Sequence, residues 1–156
     1  MTTKSNAPQD AVAMLTAEHR EVAGLFDQYE KLTDRAKVSK KKLADQICNA
    51  LIVHATIEEE IFYPAVRESA KDAEDKVDEA VVEHAAAKDL IAQIQEMDPD
   101  DELYDAKVKV LSEQIDHHVQ EEEKEMFPMA KKSGIDLVTL GAEMAERKQE
   151  LEQTNS

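Results

Sequence analysis

The stretch His54-Ala55-Thr56-Ile57-Glu58-Glu59-Glu60-Ile61-Phe62-Tyr63-Pro64 decides the fold, because it returns as His118-Val119-Gln120-Glu121-Glu122-Glu123-Lys124-Glu125-Met126-Phe127-Pro128. Both read His-x-x-x-Glu-Glu-x-x-x-x-Pro. On an α-helix, residues i and i+4 lie about 40° apart in rotation and about 6 Å apart in rise. His54 with Glu58, and His118 with Glu122, therefore each aim at one neighbouring position, and two such pairs can hold two metal ions.

The repeat extends backwards. Glu18-His19 and Glu83-His84 are each followed by a Leu six residues after the histidine, Leu25 and Leu90. His19 and His84 are 65 positions apart, and His54 and His118 are 64 apart. A match in residue type and register together marks a duplicated helical hairpin, with the order His, His-x-x-x-Glu, His, His-x-x-x-Glu.

Apolar periodicity supplies the helices. Val12, Leu15, His19, Val22, Phe26 and Tyr29 form the stripe of a helix over about residues 9 to 34. A second begins near Ser39, a candidate N-cap, and carries Leu43, Ile47, Leu51, His54, Glu58 and Ile61, with Pro64 expected to bend or end it. A third, about 72 to 97, places His84 between Val77 and Ile91 and stops at Met97-Asp98-Pro99. The fourth, about 101 to 131, runs Tyr104, Val108, Leu111, Ile115, His118, Glu122, Met126 and Met129. Ser133-Gly134 breaks the chain, and a shorter helix over about 136 to 152 presents Leu137, Leu140, Met144 and Leu151.

The expected fold is all-α, an up-down-up-down four-helix bundle with a short fifth C-terminal helix. Its parts are a disordered tail at 1–8, the bundle at 9–131, and a covering helix with a C-terminal tail at 132–156. Composition agrees: 156 residues suit about one domain, and 4% aromatics with three Gly and four Pro leave little material for an all-β fold. Met129 and Met144 read as an apolar cover for the bundle end, leaving a monomer or weak homodimer.

The net charge of −16 argues against nucleic acid or an anionic membrane surface as partner, since both attract basic patches. Cys48 is the sole cysteine, so neither an intrachain disulfide nor a four-thiolate site can form. The N-terminus lacks the apolar core of a secretory signal, and no run of some 18 apolar residues exists; the expected location is cytoplasmic.

In such a bundle His19, His54, Glu58, His84, His118 and Glu122 converge on one interior volume. Burying them without compensation would cost several kcal/mol for each charge, which a metal offsets. Imidazole with carboxylate suits Fe, Mn or Zn. His117 lies about 100° round the helix from His118 and reads as a surface or supporting residue, although it pairs with Glu121 at i, i+4. Packing is the expected role of Tyr29, Tyr63 and Tyr104, the alternative being approach to the centre, where a phenolate would colour an iron site; His117, Glu121 and Glu123 are the other residues open to completing the coordination. Glu-x-x-His, the motif of ferritin-like centres, is missing, as are His-Glu-x-x-His and a glycine-rich phosphate loop.

The ligand order over about residues 9 to 131 resembles the hemerythrin-like, or HHE cation-binding, domains. That resemblance implies a non-haem di-iron centre, two Fe ions with an oxo or hydroxo bridge, for which Mn or Zn could substitute. It implies His19 and His54 on one iron, His84 and His118 on the other, and Glu58 and Glu122 bridging. Oxygen-carrying hemerythrins have a second third-helix histidine where this chain has Lys88, and an Asp where it has Glu123. Those departures count against reversible oxygen carriage and leave an exchangeable position for O2, NO or peroxide. The function expected is sensing or an oxidative or nitrosative stress response. The alternative is a di-iron redox enzyme, such as one disproportionating peroxide, or the repair of iron–sulphur centres. Repair proteins of that kind carry an additional cysteine-containing N-terminal domain, whereas helix one here starts almost at once. A bundle without metal is the remaining reading.

Overall fold

The computed structural model describes residues 9–155. It contains α1 (Ala11–Glu30), α2 (Lys37–Ile57), α3 (Tyr63–Ser69), α4 (Glu74–Glu96), α5 (Tyr104–Glu121), α6 (Phe127–Lys132) and α7 (Leu137–Asn155). A π turn, Glu58–Phe62, joins α2 to α3, and another, Glu122–Met126, joins α5 to α6. Each long rod of the repeat is thus one helix with a local change of register. The tail expected at 1–8 lies outside the described residues.

Two apolar clusters divide the interior, and each long helix runs from one to the other. The first gathers Ala11 and Leu15 of α1, Ile57 of α2, Val77 of α4 and Met126 and Phe127 beyond α5. The second gathers Val22 and Phe26, Ala44 and Ile47, Ala87 and Ile91, and Tyr104 and Leu111. Along α1 the chain passes from the first cluster to the second, along α2 it returns, and α4 and α5 repeat the cycle. That alternation is the up-down-up-down bundle. The histidines occupy the layer between the clusters.

Local chemistry fixes the ends. Asp10 caps α1 by accepting from the Ala13 amide at 2.7 Å, and Asp136 accepts from the Thr139 amide at 3.1 Å at the start of α7. Gly134, at φ 88°, takes the left-handed turn between α6 and α7 that a side chain would strain. α7 then crosses the start of α1 so closely that a Cβ on Gly141 would lie 2.9 Å from the Ala11 nitrogen. Met144 is fully buried and Leu140 nearly so, which makes α7 part of the first cluster.

Pro64 neither ends its helix nor breaks it. Proline lacks the amide hydrogen and crowds the carbonyl four residues back. Here the ladder has already loosened to i→i+5 spacing, with the Tyr63 amide bonded to the Glu58 carbonyl, and Pro64 enters just after that turn. Pro128 follows Phe127 in the same way, with the Phe127 amide on the Glu122 carbonyl. The second helix consequently continues to Ser69.

Candidate metal centre

The middle layer brings all six expected residues together. Ligand atoms of His19, His54, Glu58 and Glu122 form one group, and those of Glu58, His84, His118 and Glu122 form a second, with the two carboxylates common to both. All six residues are buried. In the first group Glu122 Oε1 lies 3.2 Å from His19 Nε2, and Glu58 Oε2 lies 3.4 Å from His54 Nε2. In the second, Glu58 Oε1 is 3.0 Å from His84 Nε2, Glu122 Oε2 is 3.2 Å from His118 Nε2, and the two Nε2 atoms are 3.2 Å apart. Donors about 2.1 Å from a shared ion stand about 3.0 to 3.4 Å from one another, so both groups have the dimensions of a coordination shell.

The tautomers point the same way. Each imidazole Nδ1 faces a carboxylate: His54 meets Glu18 at 2.6 Å, His118 meets Glu83 at 2.6 Å, His84 meets Glu59 at 2.7 Å, and His19 meets Glu123 at 2.7 Å. A histidine donating from Nδ1 presents a lone pair at Nε2, the arrangement that orients a metal ligand and raises its basicity. Without an ion, several of these atoms oppose one another unsatisfied. His19 Nε2, His54 Nε2, Glu58 Oε2 and Glu122 Oε1 are buried with no hydrogen-bond partner among the described residues. Such atoms are costly to leave unmatched, and one cation satisfies all four. The donor set fits a metal.

Electrostatics describe what occupies the layer when protons must do that work. Burial by itself would lower the His54 pKa, but Glu58 and Glu18 outweigh it and push the value up to about 10. His118, buried beside Glu122 and Glu58, is pushed up to about 11 by the same contest. Glu58 stays well below the ordinary carboxylate range, since His54, His118 and His84 overcome its burial.

Tyr63 belongs to the site although its sequence context reads as packing. Its hydroxyl stands between Glu58 Oε1, at 3.0 Å, and Glu122 Oε2, with one proton to donate to either, and lies 3.3 Å from His84 Nε2 and 3.4 Å from His118 Nε2. Burial and the two carboxylates raise its pKa well above that of a free phenol. The π turn explains the placement, because i→i+5 spacing returns Tyr63 to the face of Glu58. The signal was the position before the repeated proline. In the other half that position is Phe127, whose ring stacks on His19 at 5.9 Å between centroids. Tyr29 and Tyr104 belong to the second apolar cluster.

Lys88 and Glu123, the departures from oxygen carriers, both support histidines. Glu123 holds His19 and pairs with Arg20 at 2.9 Å, while Lys88 pairs at 2.8 Å with the Glu59 that holds His84. His117 points outward, 66% exposed, toward Glu83 and Glu121. On the side of the second cluster, the four imidazoles line a cavity of about 30 Å³ with Leu51, Ala87, Ile91, Ile115 and Val119.

A helical bundle with two donor groups sharing a pair of carboxylates defines a class of cation-binding protein. Comparison with known proteins makes the class specific: the chain belongs to the Hemerythrin HHE cation binding domain family, whose model matches residues 10–130. The crystal structure of a Hemerythrin HHE cation binding domain-containing protein from Mycobacterium kansasii superposes with a TM-score of 0.80, covering 94% of this chain and 89% of that one. At 23% identity the likeness concerns the fold. A protein of Nostoc sp. named DNA nickase is 30% identical over 119 residues, which are 76% of this chain and 32% of the relative. The chain thus spans about a third of that relative's length. No helix among the described residues is long and apolar enough to cross a membrane.

Proposed function

We propose that this is a non-haem di-iron protein that binds or reacts with O2, NO or peroxide in oxidative or nitrosative stress. His19 and His54 would hold one ion, His84 and His118 the other, and Glu58 and Glu122 both. Two irons would supply the redox chemistry toward such ligands. The observation that carries the reading is the cavity of about 30 Å³ directly against the four imidazoles. Its volume matches about one water-sized molecule, and the Leu51, Ala87, Ile91, Ile115 and Val119 side chains that face the imidazoles across it favour a small uncharged gas over water. Rapid mixing of anaerobic ferrous protein with O2 or NO tests it: a new visible absorption is expected, and an unchanged spectrum with both gases would overturn the reading.

Turnover of peroxide is a second reading, favoured by Tyr63. Its hydroxyl sits between both shared carboxylates and can hand a proton to either, which oxygen–oxygen cleavage requires. Sustained oxygen release from hydrogen peroxide, lost in His54→Ala, would select it, whereas stoichiometric bleaching would select binding alone. The activity named for the Nostoc relative is not the reading favoured for this chain, whose charge of −16 repels a phosphate backbone.

A further inference from the structure

The four carboxylates that orient the histidines differ in how their own charge is met. Glu18 Oε2 lies 3.0 Å from Lys148 Nζ, Glu59 Oε1 2.8 Å from Lys88 Nζ, and Glu123 Oε1 2.9 Å from Arg20. Glu83 alone, among the described residues, has no lysine or arginine on it. Its Oε1 accepts from His118 at 2.6 Å, and its Oε2 faces His117 Nε2 at 3.7 Å. His117 Nε2 in turn lies 3.6 Å from Glu121 Oε2. Donor atoms of the three residues all fall within 4.8 Å of one another.

The repeat shows why this corner is different. Val53 and Ile57 occupy in the first half the positions that His117 and Glu121 occupy in the second. Both are buried in the cluster that contains Leu140 and Met144, and α7 brings Lys148 over that face to Glu18. On the matching face of α4 and α5, His117 is 66% exposed. An imidazole and a carboxylate one turn apart stand there instead, opposite a third donor on the neighbouring helix.

We propose that Glu83, His117 and Glu121 form a third, peripheral site for a first-row divalent cation. The ion would supply to Glu83 the positive charge that Lys148 supplies to Glu18. One imidazole with two carboxylates selects Mn²⁺, Fe²⁺, Co²⁺ or Zn²⁺ over Mg²⁺ and Ca²⁺, which prefer all-oxygen shells. Two donors about 2.1 Å from a tetrahedral ion stand about 3.4 Å apart; His117 is within a few tenths of an ångström of that spacing on each carboxylate, and the three donors, within 4.8 Å of one another, would draw together around the ion by side-chain rotation. Because His117 is 66% exposed, water completes the shell and the ion exchanges freely. The ion would share Glu83 with His118 and so touch the buried centre through one carboxylate and one ring.

The test is equilibrium dialysis against Co²⁺ of the full chain, loaded first with two equivalents of iron and then passed through a desalting column to remove loosely held ions. One further equivalent is expected, with paramagnetic broadening of the His117 ring resonances. His117→Ala should weaken that equivalent at least tenfold and Glu121→Gln severalfold, both keeping the iron content and melting temperature of the parent. His117→Lys, which supplies a fixed cation, should abolish it. An absent extra equivalent, or one indifferent to His117→Ala and Glu121→Gln, overturns the proposal. Its failure is distinguishable from that of the buried centre, because the iron content reads the six buried donors separately and a chain without them would still take up one Co²⁺.

Discussion

The two halves of the duplicated centre share a ligand order and differ in everything around it. The first half, His19 and His54, is sealed: Phe127 stacks on His19, α7 lies over the outer face, and Lys148 reaches Glu18. The second half, His84 and His118, has a phenol among its donors, and an exposed imidazole where the first has buried valine. Duplication accounts for the matching donor groups, while divergence placed polar chemistry on one side and apolar closure on the other. The first donor group therefore sits in an apolar enclosure and the second beside a phenol.

The largest effect is expected where the halves are joined. Glu58 touches His54 on one side and His84 on the other, so Glu58→Ala should drop iron content from about two ions to below one, whereas His54→Ala or His118→Ala should each leave about one. Elemental analysis of the purified variants checks it. Equal losses in all three would mean that the halves load as a unit and that their difference is cosmetic. The unfolded chain has no preformed site, so the loss of ions should also lower the melting temperature.

Next in size is the response to pH. In protein stripped of metal, His54 and His118 are protonated up to about 10 and about 11, against about 6.5 in an unfolded chain. Raised values mean a stabilising contribution that is fully present below about pH 6.5 and is lost as pH rises through about 10 to 11. Glu58 acts in the opposite sense, its contribution present above about 4.5 and lost on acidification. In loaded protein, protons compete with the ions for Nε2, so stability from the metal grows with pH. Melting curves of the two forms should therefore diverge from neutral pH upward; parallel curves would mean that the imidazoles do not exchange protons for metal.

The orienting carboxylates come third. Glu18→Gln and Glu83→Gln each keep the shape but weaken the bond to Nδ1, and supporting partners of this kind typically contribute about 10- to 100-fold in metal affinity. The expected order is Glu83→Gln below Glu18→Gln at limiting cation, since the peripheral site is lost with it. Tyr63→Phe makes the second half resemble the first. It should leave metal content intact, reduce peroxide breakdown, and destabilise the stripped protein by about 1 to 3 kcal/mol as Glu58 and Glu122 lose a buried donor. Unchanged peroxide chemistry would reduce the phenol to a structural role.

The bundle and its six buried donors were legible in the sequence because the helical stripe switches from Leu51 to His54 and Glu58, and again from Ile115 to His118 and Glu122. Each switch puts metal-binding groups at positions that a bundle core otherwise fills with apolar side chains. Tyr63 escaped because a π turn has no compositional mark: Pro64 signalled only a disturbance, and a regular helix would have carried Tyr63 away from Glu58. The orienting roles of Glu59 and Glu123 escaped for a different reason. Each supports a histidine on another helix, His84 and His19, and contacts across helices follow from packing rather than from spacing. Glu18 and Glu83 sat in view beside their repeated histidines, yet each serves the histidine of the next helix, not its neighbour in the chain.

The smallest expected effect tests whether the cover of the first half matters electrostatically. Lys148 is 30% exposed and its pair with Glu18 lies at the rim of α7, so solvent screening limits Lys148→Met to about 0 to 1 kcal/mol of stability. Glu18 keeps its 2.6 Å bond to His54 in that variant, and iron affinity should shift no more than a few-fold. The same substitution removes the fixed cation and leaves Glu18 in the condition of Glu83, but with Val53 and Ile57 rather than His117 and Glu121 beside it. It should therefore gain no affinity for Co²⁺. A loss as large as that of Glu18→Gln would instead show that the cation, more than the carboxylate, fixes the histidine, and the charge missing at Glu83 would then weigh more heavily on the second half.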